Sequence, residues 1–71
     1  MTGMRLKLFT RDEAVIVIST DELAFVHSAI NETLHAVPKS EFRVRTGETR
    51  DQALKMWQQL DDFLDKIEGK S

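Results

Sequence analysis

Residues 4–9 alternate between apolar and polar side chains, in the order Met-Arg-Leu-Lys-Leu-Phe. A period of two predicts a strand with one buried face. A polar interruption follows at residues 10–13, and residues 14–18 then form a continuous apolar run rich in β-branched side chains, which is typical of a central strand. Together the two runs predict a β-hairpin over residues 4–18.

The apolar period then changes to that of a helix, with one stripe formed by Leu23, Val26, Ile30, Leu34 and Val37. Ser19 and Glu22 have the spacing of a capping box, in which each side chain bonds the backbone N–H of the other residue. Pro38 disfavours helical geometry in the residue before it. We therefore predict a helix over residues 20–37.

A second alternation, Glu-Phe-Arg-Val-Arg at residues 41–45, predicts a short third strand that Gly47 ends. Thr49 and Gln52 have the spacing of a second capping box, and Gly69 suits the end of a helix. These signals predict a helix over residues 50–68, whose wide apolar face consists of Ala53, Met56, Trp57, Leu60, Phe63, Leu64 and Ile67. Within this face, positions 53, 57, 60, 64 and 67 have the spacing of a coiled coil, but packing against the sheet is the simpler interpretation.

The predicted element order is β-β-α-β-α in a single α+β domain over residues 1–71. Each element must bury its apolar side, so the expected architecture is a small three-stranded sheet with two helices packed on one face. The second strand is expected at the centre, with the third parallel to it through a right-handed crossover. The alternative places the first strand in the middle.

Composition narrows the classes of function. The 71 residues contain no cysteine, which excludes disulfides and thiolate zinc sites. A net charge of −2 argues against a general nucleic-acid binder, which is usually basic. No apolar run approaches the roughly 20 residues of a membrane span, and the first residues lack the features of a signal peptide. A cytoplasmic protein without membrane contact is expected.

One face of the predicted sheet combines basic and apolar side chains. Alternation sends one set of strand residues to the core, namely Met4, Leu6, Leu8, Phe42 and Val44, and the other set outward. The outward set gives a predicted partner-binding surface of Arg5, Lys7, Phe9, Val15, Val17 and Arg43. This surface could be solvated, pack against a second copy of the chain, or bind a different partner, protein or RNA.

Residues 29–32 (Ala-Ile-Asn-Glu) and 41–50 (Glu-Phe-Arg-Val-Arg-Thr-Gly-Glu-Thr-Arg) carry a resemblance. Their pattern resembles that of a group of small bacterial proteins of uncharacterised function, which is Asn-Glu followed by Glu-Phe-x-x-Arg-x-Gly-x-Ser/Thr-Arg before a last helix. The likeness covers about residues 22–64 and does not include the hairpin. Some small bacterial domains of this size and layout are immunity proteins that neutralise secreted toxins, so the resemblance implies one possible class of function and no particular activity.

The same residues also predict a structural polar network of Asn31, Glu32, Arg45 and Arg50. The Asn31 amide could satisfy backbone groups near Pro38, and Glu32 could pair with a guanidinium group. The alternative makes the two arginines an anion pocket at the start of the last helix. Arg45 cannot serve both this network and the outer face of the sheet.

Candidate chemistry is sparse elsewhere. His27 and His35 lie about 12 Å apart along a helix, too far to share one metal ion, so no metal site or other cofactor is predicted. The acidic residues Asp61, Asp62, Asp65 and Glu68 predict a solvated face or an acidic contact surface. With no evident nucleophile or acid–base pair, an enzyme is not expected. The sequence favours a protein-interaction module of the immunity or accessory type; the alternative is a nucleic-acid-binding regulator that uses the basic sheet face.

Overall fold

The computed structural model describes residues 3–69, which form two strands and three helices. In chain order these are β1 (Arg5–Phe9), β2 (Ala14–Val17), α1 (Thr20–Ala36), α2 (Lys39–Thr46) and α3 (Arg50–Ile67). The chain is α+β, and its sheet has two antiparallel strands. The predicted three-stranded sheet is wrong, because the segment expected to supply the third strand is helical.

The hairpin is closed by a tight polar turn. The Thr10 N–H donates to the carbonyl of Glu13 at 2.8 Å. The Thr10 hydroxyl oxygen accepts from the backbone N–H groups of Asp12 at 3.3 Å and Glu13 at 3.1 Å. A hydroxyl that bonds the backbone two and three residues further on is a standard way to stabilise a turn. The polar interruption in the sequence therefore forms the connection of the hairpin.

A β-bulge divides the apolar residues of β1 between the two faces of the hairpin. Leu6 lies opposite Ile16 and Leu8 lies opposite Val15, so Lys7 is an extra residue in β1. Val15 and Ile16 are neighbours on β2 and point to opposite faces, and residues directly opposite each other share a face. Leu6 and Leu8 therefore point to opposite faces. The strict alternation expected from the sequence is broken at Lys7.

Neither strand packs against a helix. No Cα atom of β1 or β2 lies within 8 Å of a helical Cα atom, and every strand residue is exposed. The predicted packing of two helices on one face of the sheet is therefore wrong. The apolar stripe of α1 packs against α3 instead, which leaves both faces of the hairpin uncovered by the described part of the chain.

The predicted signals at both ends of α1 are confirmed. The Ser19 hydroxyl accepts from the Glu22 N–H at 3.1 Å, and the Glu22 carboxylate accepts from the Ser19 N–H at 3.0 Å. This reciprocal pair satisfies two N–H groups that have no partner within the helix. At the other end Val37, the residue before Pro38, has extended geometry with φ −99° and ψ 123°. Local sequence thus sets both ends of α1.

Residues 41–45 belong to α2 rather than to a strand. Glu41 and Arg45 are one helical turn apart and form an ion pair at 3.3 Å, which stabilises a helix and could not form along a strand. Gly47 ends the helix with φ 84°, a left-handed conformation that glycine adopts without the steric cost of a Cβ atom. A five-residue alternation is too short to outweigh these helical signals.

The helical geometry of α2 also changes which of its side chains is buried. Phe42 is 1% exposed, whereas Val44 is 89% exposed. In a strand these two residues would share a face, but in a helix they are about 200° apart. The expected burial of Phe42 is confirmed and that of Val44 is wrong.

The core lies between α1 and α3, and α2 contacts α3. On α3 the half-buried apolar residues are Ala53, Leu54, Trp57, Leu60 and Leu64. Among residues 3–69, only Leu34 and Phe42 are fully buried hydrophobic residues. The apolar face of α3 was expected to pack on the sheet; it packs on α1, so the coiled-coil-like spacing of its residues describes a helix–helix seam.

Candidate functional site

The hairpin exposes a dense set of large apolar side chains. They are Met4, Leu6, Leu8, Phe9, Val15, Ile16 and Val17, and we call this set the hairpin surface. The most exposed of them is Phe9, at 73%. By the register, Leu6, Phe9 and Ile16 lie on one face, and Leu8, Val15 and Val17 lie on the other. Both faces of the hairpin are therefore apolar.

The structure places five of the six predicted partner-binding residues on the hairpin: Arg5, Lys7, Phe9, Val15 and Val17. Arg43 lies apart from them on α2, which does not approach the hairpin. The bulge also separates Phe9 from Arg5, because Phe9 lies opposite Ala14 on one face and Arg5 lies opposite Val17 on the other. The predicted surface is thus an apolar hairpin with two basic residues, not one continuous basic face.

A second apolar surface lies on the helical part of the molecule. A groove of about 390 Å³ opens between α1, α2 and the start of α3. Its floor and walls include Phe25, Ile30, Phe42 and Met56, and Glu48 is its one charged lining residue. Phe25 is 73% exposed at the edge of the groove. The groove has the size of a small ligand pocket, although its lining is almost entirely apolar.

This apolar surface continues along α3 beyond the groove. Met56, Phe63 and Ile67 are exposed and lie seven and four positions apart, so they follow one side of the helix. We call the groove together with these three residues the apolar strip. All three were expected in the core, because the apolar pattern does not separate the residues that face α1 from those beside them. The sequence signal for their exposure was the width of the apolar face of α3, which is greater than one contact with α1 requires.

The predicted polar network of Asn31, Glu32, Arg45 and Arg50 is not assembled. The Arg45 guanidinium donates to the Glu41 carboxylate on the same helix, and both side chains are exposed. Between residues 3 and 69, no hydrogen bond or ion pair joins Asn31 or Glu32 to either arginine. The helical form of α2 directs Arg45 to a neighbour one turn away, so neither role predicted for Arg45 describes its contact.

His27 contributes to the seam between α1 and α3. Its ring stacks on Trp57 with a centroid distance of 4.8 Å and an interplanar angle of 19°. Its Nε2 atom lies 3.2 Å from Oδ1 of Asp61, an ion-pair distance without hydrogen-bond geometry. Asp61 is half-buried, so this acid is part of the helix contact and does not belong to a purely solvated face. His35 is exposed.

The remaining acids of α3 do not gather into a site of recognisable chemistry. Asp62 is exposed and Asp65 is half-buried. In the part of the chain that the structure describes, no group of three or more histidine or acidic side chains could hold a metal ion. The apolar surfaces are therefore the most distinctive features of the molecule.

Comparisons with known proteins add no relative. No protein-family model, curated protein or solved structure matches the chain. Within residues 3–69, no helix has the length and the apolar character that a membrane span requires. The hairpin surface and the apolar strip are the features from which we infer a function.

Proposed function

We propose that this chain is a non-enzymatic protein-interaction module and that the hairpin is its binding element. The observation that carries the proposal is the exposure of apolar side chains on both faces of the hairpin. Contiguous exposed apolar surface on a small domain marks a site of protein contact more often than a solvated face. Scattered single apolar residues would not support the same conclusion.

The backbone of the hairpin supports the same function. A two-stranded sheet has two open edges, each with unpaired N–H and C=O groups that another chain can pair with. An isolated two-stranded hairpin is only marginally stable in water. A partner that covers the apolar faces would therefore both bind the hairpin and stabilise it.

The resemblance to small bacterial proteins of uncharacterised function is compatible with this proposal, since some bacterial domains of similar size are immunity proteins, which act by binding and occluding a partner. The alternative, a nucleic-acid-binding regulator, receives less support. Arg5 and Lys7 are on the hairpin, but Arg43 is on α2, and Phe9 lies on the face opposite Arg5. A sheet that binds RNA usually presents several aromatic side chains together with its basic ones.

Affinity capture with matched variants tests the proposal. Tagged wild-type protein, Val15→Asp and Val44→Asp are incubated with lysate of the source cell, with and without nuclease. Val15 and Val44 are both exposed valines, one on the hairpin and one on α2. We expect the same proteins to be retained by the wild type and by Val44→Asp, and to be lost with Val15→Asp.

Two outcomes would contradict the proposal. Capture that is unchanged both by Val15→Asp and by Phe9→Asp on the opposite face would remove the hairpin from consideration as the binding element. Capture that nuclease abolishes, and that falls steeply with salt, would favour the nucleic-acid alternative. In that case Arg5→Glu with Lys7→Glu should reduce binding and Arg43→Glu should not.

A further inference from the structure

The chain exposes more surface than a monomer of its size is expected to expose. By the scaling of surface with mass, a folded monomer of this size exposes roughly 4,500 Å². This 8.2 kDa chain exposes 6030 Å². Its radius of gyration is 13.6 Å, against about 11 Å expected for a compact domain of this length. The excess surface of roughly 1,500 Å² lies in the range that each subunit of an obligate homodimer buries, about 1,000–2,500 Å².

The two exposed apolar surfaces have matching dimensions. From Met56 to Ile67 the apolar strip follows eleven residues of α3, a length of about 16 Å at the helical rise. A five-residue strand such as β1 is about 17 Å long. One face of the hairpin thus has the length needed to cover the strip, and Phe9 offers a large aromatic side chain for the groove.

A hairpin cannot cover the strip of its own chain in this fold. Only Ile18 and Ser19 connect β2 to α1, and Ser19 is held by its capping bonds to Glu22. The hairpin therefore extends away from the helices, and no strand Cα atom approaches a helical one. A second copy supplies both complementary surfaces without any change in this connection.

We propose that the first partner of the hairpin is a second copy of this chain, and that each hairpin lies on the apolar strip of the other copy. This inference rests on the proposed function, because it takes the hairpin as the binding element and names its occupant. A two-fold axis makes the exchange reciprocal, so each copy gives one hairpin and receives one. The net charge of −2 per chain is small and opposes such pairing only weakly.

Sedimentation equilibrium of designed variants tests this arrangement. The wild type should have twice the 8.2 kDa mass of the chain. Phe9→Asp on the hairpin and Phe63→Asp on the strip should each raise the dissociation constant of the dimer by about 100-fold or more. In a reciprocal dimer, each substitution places a buried charge in both of the hairpin–strip contacts. Val44→Asp, an exposed apolar residue outside both surfaces, should leave the mass unchanged.

A mixture of the two disruptive variants gives a result specific to reciprocal exchange. The Phe63→Asp variant has an intact hairpin and the Phe9→Asp variant has an intact strip. A mixed dimer therefore retains one of its two hairpin–strip contacts. We expect the mixture to contain dimers at concentrations where each variant alone is monomeric. If the Phe63→Asp variant is dimeric while the Phe9→Asp variant is monomeric, the copies join hairpin to hairpin, and the proposed contact between hairpin and apolar strip is wrong.

Chemical cross-linking keeps the test valid if a charged variant fails to fold. The chain has no cysteine, so a maleimide reacts only with a thiol that has been introduced. Arg11→Cys in the turn of the hairpin and Gln59→Cys beside the strip should give a linked heterodimer when the two variants are mixed with a short bismaleimide. As the control, Arg11→Cys mixed with Ser28→Cys on the outer side of α1 should not give a linked heterodimer. Equal linking in both mixtures, or a monomeric wild type, overturns the inference. Hairpin-dependent capture of another protein by a monomeric wild type would leave the proposed function standing.

Discussion

The hairpin and the helical part of this molecule are held together by different interactions. Every residue of β1 and β2 is exposed, and the hairpin is held by its own backbone pairing and its turn. The helices hold one another through a shared seam, and they contain Leu34 and Phe42, the two fully buried hydrophobic residues of the described chain. The comparison shows that local bonding can specify an element that tertiary packing then leaves uncovered.

This difference predicts where stability resides. Burial of apolar surface is the main favourable term in folding, so the helical part should supply most of the free energy of unfolding of a single chain. The hairpin should contribute little to that free energy until a partner covers it. Substitutions in the two regions should therefore differ in size and in their dependence on protein concentration.

The largest effect is expected at the centre of the helical part. Phe42→Ala should lower the free energy of unfolding by about 3–5 kcal/mol, because the side chain is fully buried and its loss leaves a cavity. Urea denaturation followed by far-UV circular dichroism measures the loss. Val44→Ala on the same helix should change stability by less than about 0.5 kcal/mol. Similar losses for both variants would contradict the packing of α2.

The next effect is expected on the hairpin and depends on concentration. Ile16→Ala should cost about 2 kcal/mol where the protein is dimeric, because the partner then buries the side chain. After dilution to monomers the cost should fall below about 0.5 kcal/mol. Thermal unfolding over a range of concentrations measures both values. Leu34→Ala, which is buried within one chain, should cost the same at every concentration.

A smaller effect is expected at the seam between α1 and α3. His27→Ala should cost about 1–1.5 kcal/mol, because it removes the stacking on Trp57 and the contact with Asp61. Urea denaturation measures this cost, and Trp57 fluorescence reports whether the seam itself has changed. His35→Ala is the matched control, since His35 is exposed on the same helix. A greater loss for His35→Ala would show that the stacking does not stabilise the seam.

The smallest effect concerns the backbone alone. Gly47→Ala should cost about 1 kcal/mol, because Gly47 has φ 84° and an alanine Cβ atom is strained there by the adjacent backbone, although no atom beyond the neighbouring residues lies within 4 Å of it. Gly69→Ala has a similar φ of 81° at the end of α3, where the helix can fray, so it should cost less. Thermal unfolding of the two variants at one concentration makes the comparison. Equal costs would mean that the α2–α3 junction is no more rigid than the end of α3.

The sequence predicts correctly those features that depend on interactions between residues close together in the chain. The capping box of Ser19 and Glu22, the end of α1 before Pro38 and the hairpin turn at Thr10 depend on neighbours within four residues, and the structure contains all of them. The third strand failed because alternation over five residues does not distinguish a strand from a short helix. The spacing of Glu41 and Arg45 was the helical signal in that segment.

The candidate site was predictable to the same extent. Five of the six residues predicted to bind a partner lie on the hairpin, but the bulge places Phe9 on the face opposite Arg5, Val15 and Val17, so the single outward face was not predicted correctly. Arg43 was misplaced together with the third strand. The exposure of Phe25, Met56 and Phe63 was not predicted, because an apolar helical residue has the same sequence signal whether it contacts a neighbouring helix or remains outside the seam.

The sequence by itself determined the elements that short-range hydrogen bonds and apolar period define: the hairpin, α1 and α3. Only the tertiary structure decided that α1 packs on α3 and not on the sheet, and that Phe42 is buried while Val44 is exposed. The physical reason is that apolar burial has no direction of its own. A pattern shows that a face must be covered, whereas the choice of what covers it depends on the geometry of the whole chain.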